Sequence, residues 1–140
     1  MKISTKGRYG LRMMLDIAQQ DPSIYTPLKA ISERQHVSMK YLEQITSLLN
    51  KQKFLISNRG PLGGYKLARK PEEYTIGEII RATEGEIVPV DCIENKEFCS
   101  NPKPSCLAQN FWKSLQINIY KYLDSVTLKD VLWNLSFTKD

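Results

Sequence analysis

The chain has 140 residues, of which 41% are hydrophobic and 25% are charged, as is usual for globular proteins that fold in water. Its length allows one domain, or a small domain with an appended module. No apolar run reaches the roughly 20 residues that a membrane span needs, and no apolar segment follows the charged N-terminus as in a signal peptide. We therefore expect a cytoplasmic protein with no membrane contact.

The formal net charge is +5, and the charged residues are unevenly distributed along the sequence. Residues 1–70 contain 13 Lys/Arg and 4 Asp/Glu, a balance of +9, whereas residues 71–140 contain 7 and 11, a balance of −4. A basic half joined to an acidic half indicates a module that binds a polyanion, linked to a module of another kind. Solvated surfaces can also differ in charge without binding anything, so the balance alone does not identify the ligand.

Two helices are predicted in the first 35 residues. Ser4 or Thr5 can cap a first helix that runs to about residue 20, whose apolar side chains occupy more than one side and so predict burial on two sides. Thr26 is the expected N-cap of a second helix over residues 28–35, because the proline after it fits a first helical turn.

A third helix is predicted over residues 39–51, about three residues after the second. Ser38 is its N-cap, and its apolar residues recur at the spacing of one face: Leu42, Ile45, Leu48 and Leu49. The opposite face carries hydrogen-bond donors and acceptors: Lys40, Glu43, Gln44, Ser47, Asn50 and Lys51. Two short helices joined in this way form a helix-turn-helix, whose second member enters the DNA major groove. His36, the only histidine, is interpreted as a turn residue rather than a metal ligand.

The residues after the third helix predict a basic β-hairpin. Two short strands, residues 54–56 and 65–67, flank a loop in which Pro61 fixes a turn and Gly63-Gly64 allow positive φ. Residues 53–70 include five basic residues and no acidic one. A basic hairpin directly after a helix-turn-helix is a wing suited to phosphates or a minor groove, which the planar cation of Arg59 would fit. A hairpin that only packs on the domain is the alternative.

The C-terminal half predicts two capped helices around a long connection and a long helix. Thr75 begins a capping box for a helix that Gly85 ends. The connection, called here the cysteine segment (residues 86–106), contains three prolines and all three cysteines. The long helix begins at Leu107 and is apolar on two faces, which favours packing against the same helix of a second subunit. Thr127 caps a last helix that runs to about residue 135.

These elements predict a mainly α fold with a small β-hairpin. The expected organisation is a winged helix-turn-helix domain over residues 1–85, a cysteine-containing loop over residues 86–106, and a dimerisation helix with a C-terminal segment over residues 107–140. An enzyme is disfavoured because the sequence has no Cys-x-x-Cys, no pair of catalytic histidines and no phosphate-binding loop.

Cys92, Cys99 and Cys106 form a C-x6-C-x6-C pattern. Three cysteines cannot all pair within one subunit, and a cytoplasmic protein keeps its thiols reduced. Thiolates are soft ligands that suit iron–sulfur clusters or zinc. Ligand chemistry alone therefore leaves open a cluster, a zinc ion, or three cysteines that bind no metal.

Three motifs occur in order: Lys6-Gly7-Arg8-Tyr9-Gly10, Ser38-x-x-Tyr41-Leu42-Glu43-Gln44 and Arg59-Gly60-Pro61-x-Gly63-Gly64-Tyr65. Over residues 2–133 the chain resembles the Rrf family of bacterial winged helix-turn-helix transcription regulators, most of all its branch of iron–sulfur cluster regulators. The resemblance implies a homodimer that binds a double-stranded DNA operator, with the long helices crossing at the dimer centre. It also implies that Glu43 selects between classes of DNA site, because a carboxylate accepts from cytosine but repels the acceptors of guanine.

The DNA-binding residues expected from the helix, the wing and the resemblance together are Lys6, Ser38, Met39, Lys40, Tyr41, Glu43, Gln44, Ser47, Lys51, Arg59, Gly60, Gly63, Gly64 and Tyr65.

The resemblance also favours an iron–sulfur cluster, of the 2Fe–2S type, held by Cys92, Cys99 and Cys106. Sensors of the family commonly have one residue fewer in each gap, a difference that a loop can absorb. The fourth ligand stays open. A histidine follows the third cysteine by three residues in cluster regulators, where this chain has Gln109, and a first-helix carboxylate serves in the nitric-oxide sensor, where it has Arg8. The candidates are water, a thiol, Asp91, Glu94 or Gln109.

In this interpretation the cluster controls operator affinity, and the regulated genes serve iron–sulfur cluster assembly or related processes. The alternative is a cluster-free repressor of cysteine or sulfur metabolism, controlled by a partner enzyme or by thiol oxidation.

Overall fold

The computed structural model describes residues 2–94 and 106–133. Within these ranges the helices are α1 (Thr5–Ala18), α2 (Leu28–Gln35), α3 (Met39–Lys51), α4 (Ile76–Glu84), α5 (Asp91–Glu94), α6 (Leu107–Ser125) and α7 (Leu128–Leu132). The antiparallel hairpin consists of β1 (Leu55–Asn58) and β2 (Gly64–Leu67), followed by a 3₁₀ turn at Pro71–Glu73. The predicted fold class is therefore confirmed. No helix in the described ranges is both long and apolar enough to cross a membrane.

Local capping chemistry explains where most helices begin. The Ser4 hydroxyl accepts from the Lys6 N–H at 3.2 Å at the start of α1, and Ser38 accepts from the third residue of α3 at the same distance. Thr75 begins a capping box at α4, and Thr127 does the same at α7. Such side chains satisfy helix N–H groups that have no intrahelical partner.

The second helix does not begin as expected, because Thr26 is not its N-cap. The Thr26 N–H donates to the Tyr65 carbonyl, and the Tyr65 N–H donates to the Thr26 carbonyl, both at 2.8 Å. Thr26 therefore forms a bridge to β2, and Pro27 occupies the cap position without a side-chain hydrogen bond. The consequence is that the hairpin is anchored to the start of the helix-turn-helix.

The first helix lies at the centre of the domain. It contacts α2, α3, α4, α7 and β2, as expected for a helix buried on two sides. Two glycines allow α4 to approach closely: a Cβ at Gly7 would lie 2.7 Å from Glu84 Cγ, and a Cβ at Gly10 would lie 2.6 Å from Thr83 Cγ2. Interiors packed this closely leave little room for α1 to shift independently. The buried apolar residues are Met13, Met14, Ile17, Ile31, Val37, Leu42, Ile45, Leu49, Phe54, Leu55, Tyr74, Ile76, Ile79, Ile80, Ile87 and Leu128.

Several predicted boundaries shift by a few residues. The first strand begins at Leu55, because Phe54 is buried and its N–H donates to the last turn of α3 instead. The cysteine segment, predicted as a long connection, contains the short helix α5. Helix α7 ends at Leu132 with Trp133 as its C-cap, and residues 134–135 of the predicted helix lie outside the described residues. His36 is the left-handed C-cap of α2 with φ 55°, which confirms its role in the turn.

Candidate nucleic-acid interface and cysteine segment

Helix α3 presents its apolar residues to the core and a polar face to solvent. The core side consists of Leu42, Ile45, Thr46 and Leu49. The exposed side consists of Met39, Lys40, Glu43, Gln44, Ser47, Asn50 and Lys51. The exposed set contains all six residues of the predicted polar face and adds Met39. Its mixture of donors and acceptors is chemically suited to base edges and phosphates.

Tyr41 differs from the other residues predicted on this face because it is held by α1. Its hydroxyl lies 2.8 Å from the Thr5 hydroxyl, and its ring meets the Tyr9 ring edge-on with centroids 5.7 Å apart. The side chain is half-buried. Its orientation is therefore fixed without DNA, which reduces the entropy that binding would cost.

The tip of the hairpin, residues 58–62, is exposed. Leu62 is 88% exposed, and Arg59 stands three residues before it. Positive φ occurs at Gly60 (108°) and Gly64 (149°), so the expectation for the Gly63-Gly64 pair holds only at its second member. Gly63 is required for a different reason, since a Cβ there would overlap the Asn58 carbonyl oxygen.

A groove of about 500 Å³ lies between α3 and the hairpin. Its lining combines residues of α3, mostly from its polar face, with one residue of β2: Glu43, Thr46, Ser47, Asn50, Lys51 and Tyr65. The structure thus brings the two predicted DNA-contacting elements to one surface. Lys6 lies exposed near the start of α1.

The basic run in and after the hairpin divides into exposed and packed residues. The guanidinium carbon of Arg69 lies 4.2 Å from the centroid of the Tyr74 ring and 5.1 Å from that of the Phe54 ring. Its Nη1 atom donates to the Glu73 carbonyl at 2.8 Å. The Lys66 ammonium lies 4.7 Å from the Tyr25 ring centroid. These two cations hold the hairpin on the domain. The exposed cations are Lys53, Arg59 and Lys70.

Tyr74 fixes the base of the hairpin, a role that the sequence did not indicate. Its buried hydroxyl donates to the Phe54 carbonyl at 2.6 Å and accepts from the N–H groups of Ala68 and Arg69, each at 3.0 Å. Burial raises the pKa of this phenol, against the lowering effect of the N–H donors. One side chain therefore ties together the residues that precede β1 and follow β2.

A partly buried ion pair joins α1 to α2. Asp16 is 2% exposed, and Arg34 donates to its carboxylate from Nη2 at 2.6 Å and from Nε at 3.0 Å. The Gln35 amide adds a third donor at 2.9 Å, and Arg12 in turn donates to the Gln35 side chain at 3.1 Å. The hydrogen bonds to Asp16 raise the pKa of Arg34. A charged residue among the apolar residues of α1 is the only sequence signal for this pair.

Two of the three cysteines lie within the described residues. Cys92 is half-buried in α5, and Cys106 is half-buried at the N-cap of α6. Helices α5 and α6 contact each other, so these two thiols belong to adjoining elements. Cys99 lies outside the described residues, and those residues contain no group of three possible metal ligands. The donor chemistry of free thiols suits an iron–sulfur cluster, whereas the full ligand set stays a prediction.

The possible fourth ligands stay equally open. Gln109 lies in the first turn of α6, where its N–H donates to the Cys106 carbonyl at 3.2 Å. Asp91 is exposed at the start of α5, and Arg8 is exposed on α1.

The start of the cysteine segment is fixed to α6. The Tyr120 hydroxyl accepts from the Ile87 N–H at 2.6 Å and donates to the Glu86 carboxylate at 2.9 Å. Gln116 donates to the Ile87 carbonyl at 3.0 Å. The guanidinium of Arg81 on α4 stacks on the Tyr120 ring at 4.4 Å. Residues 86 and 87 therefore cannot move without disturbing α6.

Comparison with known proteins identifies close relatives. A family model described as Rrf2, an iron-dependent transcriptional regulator, matches residues 3–134. The transcriptional regulator IscR of Aliivibrio salmonicida is 39% identical over 132 residues, which cover 94% of this chain and 77% of that protein. The structure of CymR, the global cysteine regulator of B. subtilis, matches with a TM-score of 0.80 at 37% identity, covering 97% and 99% of the two chains. T. potens IscR matches with a TM-score of 0.77 at 36% identity, covering 96% and 88%.

Proposed function

The chain belongs to the Rrf2 family of DNA-binding transcriptional regulators, and we propose that it is a homodimeric repressor controlled by an iron–sulfur cluster. Its relatives are named as regulators, and it is not an enzyme. The observation that carries DNA binding is the polar face of α3 beside the exposed wing, in a chain whose basic residues are concentrated in the same half.

In the proposed complex α3 enters the major groove and the wing follows the backbone to the minor groove. Gln44 has the donor and acceptor pair that matches adenine, and Glu43 can accept from cytosine N4. Lys51 at the end of α3 suits a phosphate. Arg59 suits the negative potential of a narrow minor groove.

The outer face of α6 supports the proposal of a dimer. Leu107 is 87% exposed, and Phe111, Ile117 and Tyr122 are also exposed along this 19-residue helix. At 1.5 Å per residue the helix is about 28 Å long, enough for an extended contact with its twofold mate. A dimer would present two α3 helices to successive half-sites of an operator.

Cys92, Cys99 and Cys106 would hold the proposed 2Fe–2S cluster. When bound, the cluster would supply redox and ligand-exchange chemistry that responds to oxidants, nitric oxide or iron supply. The chain itself would act by setting the positions of α5 and α6. Thiolates on α5 and at the start of α6 would draw these two elements together, and residues 86–87 connect α5 to the DNA-binding domain. The similarity to proteins named IscR supports this proposal.

A cluster-free repressor is the second candidate, and the CymR match favours it. The match to that structure covers 97% of this chain with a TM-score of 0.80, and the protein is described as a global cysteine regulator. Control would then come from a partner enzyme or from oxidation of the thiols at Cys92, Cys99 and Cys106. Both candidates share the DNA-binding surface and differ only in what the cysteines do.

Anaerobic purification followed by iron and sulfide analysis separates the two candidates. We expect stoichiometric iron and sulfide with visible absorption, and loss of both when Cys92, Cys99 and Cys106 are changed together to Ser. Duplex DNA selected from a randomised library by the wild-type protein then serves to compare the affinities of the cluster-bound and metal-free forms. Wild-type protein without sulfide or visible absorption, but with intact operator binding, would exclude cluster control and favour the second candidate.

A further inference from the structure

Glu84, the last residue of α4, is bonded to the start of α1. Its Oε1 atom accepts from the Gly7 N–H at 2.8 Å and from the Ser4 hydroxyl. N–H groups in the first turn of a helix lack intrahelical partners, and the helix dipole favours a negative charge there. Burial acts to raise the pKa of Glu84, but its hydrogen bonds outweigh this effect and lower the pKa overall. An ionised carboxylate therefore joins the two helices at this point.

The same end of α1 holds the recognition helix. Thr5 is the residue next to Ser4, and its hydroxyl lies 2.8 Å from that of Tyr41 in the first turn of α3. Tyr9, one turn further along α1, packs edge-on against the Tyr41 ring. A displacement of the first turn of α1 would therefore change the position of the first turn of α3.

The cysteine segment begins two residues after Glu84. Gly85 ends α4 with φ 80°, and Glu86 and Ile87 are bonded to Tyr120 of α6. Glu84 thus connects the cysteine segment, the proposed sensor, with the end of α1 that contacts α3, the proposed recognition helix. Helices α3 and α4 contact each other directly, and α1 adds polar contacts to both of them near the surface.

We propose that Glu84 is a positioning residue for DNA recognition: its bonds to Ser4 and Gly7 set the placement of α3 and link that placement to the cysteine segment. The inference rests on the proposed function and specifies how control would reach the DNA. A residue that only caps α1 would contribute to stability without affecting the choice of DNA sequence. The two roles are therefore separable by measuring sequence discrimination and coupling.

The test is a double-mutant cycle on metal-free protein. The variants are Glu84→Gln, Thr5→Val and their combination. The probes are a duplex selected from a randomised library by the wild-type protein and the same duplex with one base pair of the half-site changed. Each single variant should reduce discrimination between the probes by about fivefold, the scale of one hydrogen bond. The double variant should lose no more than the larger single loss, because both changes break the same connection.

Two control variants test whether the effect is specific to the hydrogen bonds made by Glu84 and Thr5. Asp130→Asn removes a carboxylate from a different helix, α7, where it completes the capping box with Thr127. It should lower stability but leave discrimination unchanged. Thr5→Ser keeps the hydroxyl that faces Tyr41 and should retain wild-type discrimination.

Additive losses in the cycle would overturn the inference, as would equal losses on the two probes or no effect of Glu84→Gln. A second arm compares cluster-bound and metal-free protein, for which Glu84→Gln should shrink the wild-type affinity difference. Wild-type affinity that is independent of the cluster would refute the proposed control, while the metal-free cycle still decides the role of Glu84. Wild-type protein that selects no DNA sequence would refute both proposals.

Discussion

Replacing Asp16 by Asn tests how the helix-turn-helix is held on α1. The variant keeps the shape of the side chain but removes the charge that Arg34 contacts at 2.6 Å and 3.0 Å. Breaking a buried ion pair costs about 3–5 kcal/mol. The Arg34 side chain is 42% exposed and can return to water, so the expected loss in free energy of unfolding falls to about 2–3 kcal/mol. Thermal unfolding should shift by roughly 6–12 °C.

Removing the other partner, by Arg34→Ala, should lower the free energy of unfolding further, by about 3–4 kcal/mol. This change leaves the Asp16 carboxylate, which is only 2% exposed, without its cation. Urea unfolding followed by far-UV circular dichroism measures both variants. Glu33→Gln, which changes an exposed residue next to Arg34 on α2, is the control and should change the free energy of unfolding by less than about 0.5 kcal/mol. The reasoning is refuted if Asp16→Asn costs less than 1 kcal/mol, or if it costs more than Arg34→Ala.

Three further predictions concern the interface and the hairpin. Lys51→Ala should weaken binding to all duplexes and flatten the dependence of log K on log salt by about one unit, measured by fluorescence anisotropy at several salt concentrations. Gln44→Ala should cost about 1–3 kcal/mol on the selected duplex only, and a uniform loss across sequences would show that Gln44 does not read bases. Tyr74→Phe should lower the free energy of unfolding by about 1–2 kcal/mol in urea, because it removes the Tyr74 partner of the Arg69 N–H and one of the two hydrogen bonds at both the Phe54 carbonyl and the Ala68 N–H; a loss below about 0.5 kcal/mol would contradict this role.

The fold was predictable where its determinants are local. Ser38, Thr75 and Thr127 cap helices through residues no more than three positions away, so the sequence alone identifies these starts. Periodicity likewise identified the buried and exposed faces of α3. Thr26 was assigned wrongly because its actual partner, Tyr65, belongs to a strand that is distant in sequence. A local rule cannot decide between a cap and a bridge when the competing partner is remote.

The roles of charged residues were the least predictable part of the site. Arg69 was counted with the basic wing, whereas it packs on two aromatic rings. Asp16 gave no sign of its ion pair beyond its position in an apolar helix. Whether a charge is solvated, paired or stacked depends on neighbours that only the folded chain brings together. The expected cluster ligands Cys92 and Cys106 lie on adjoining elements, and Cys99 lies outside the described residues.

The placement of the polar contacts around α1 bears on how such a regulator could switch without unfolding. The interior between α3 and α4 is close-packed, so rearranging it would cost several kcal/mol. The contacts of Glu84 and Thr5 lie near the surface, where water can replace a lost hydrogen bond at a net cost of about 0.5–1.5 kcal/mol each. Two or three such contacts amount to about 1–3 kcal/mol, the usual size of an allosteric coupling energy. A change in the cysteine segment could therefore redirect α3 through the end of α1 while the core stays intact.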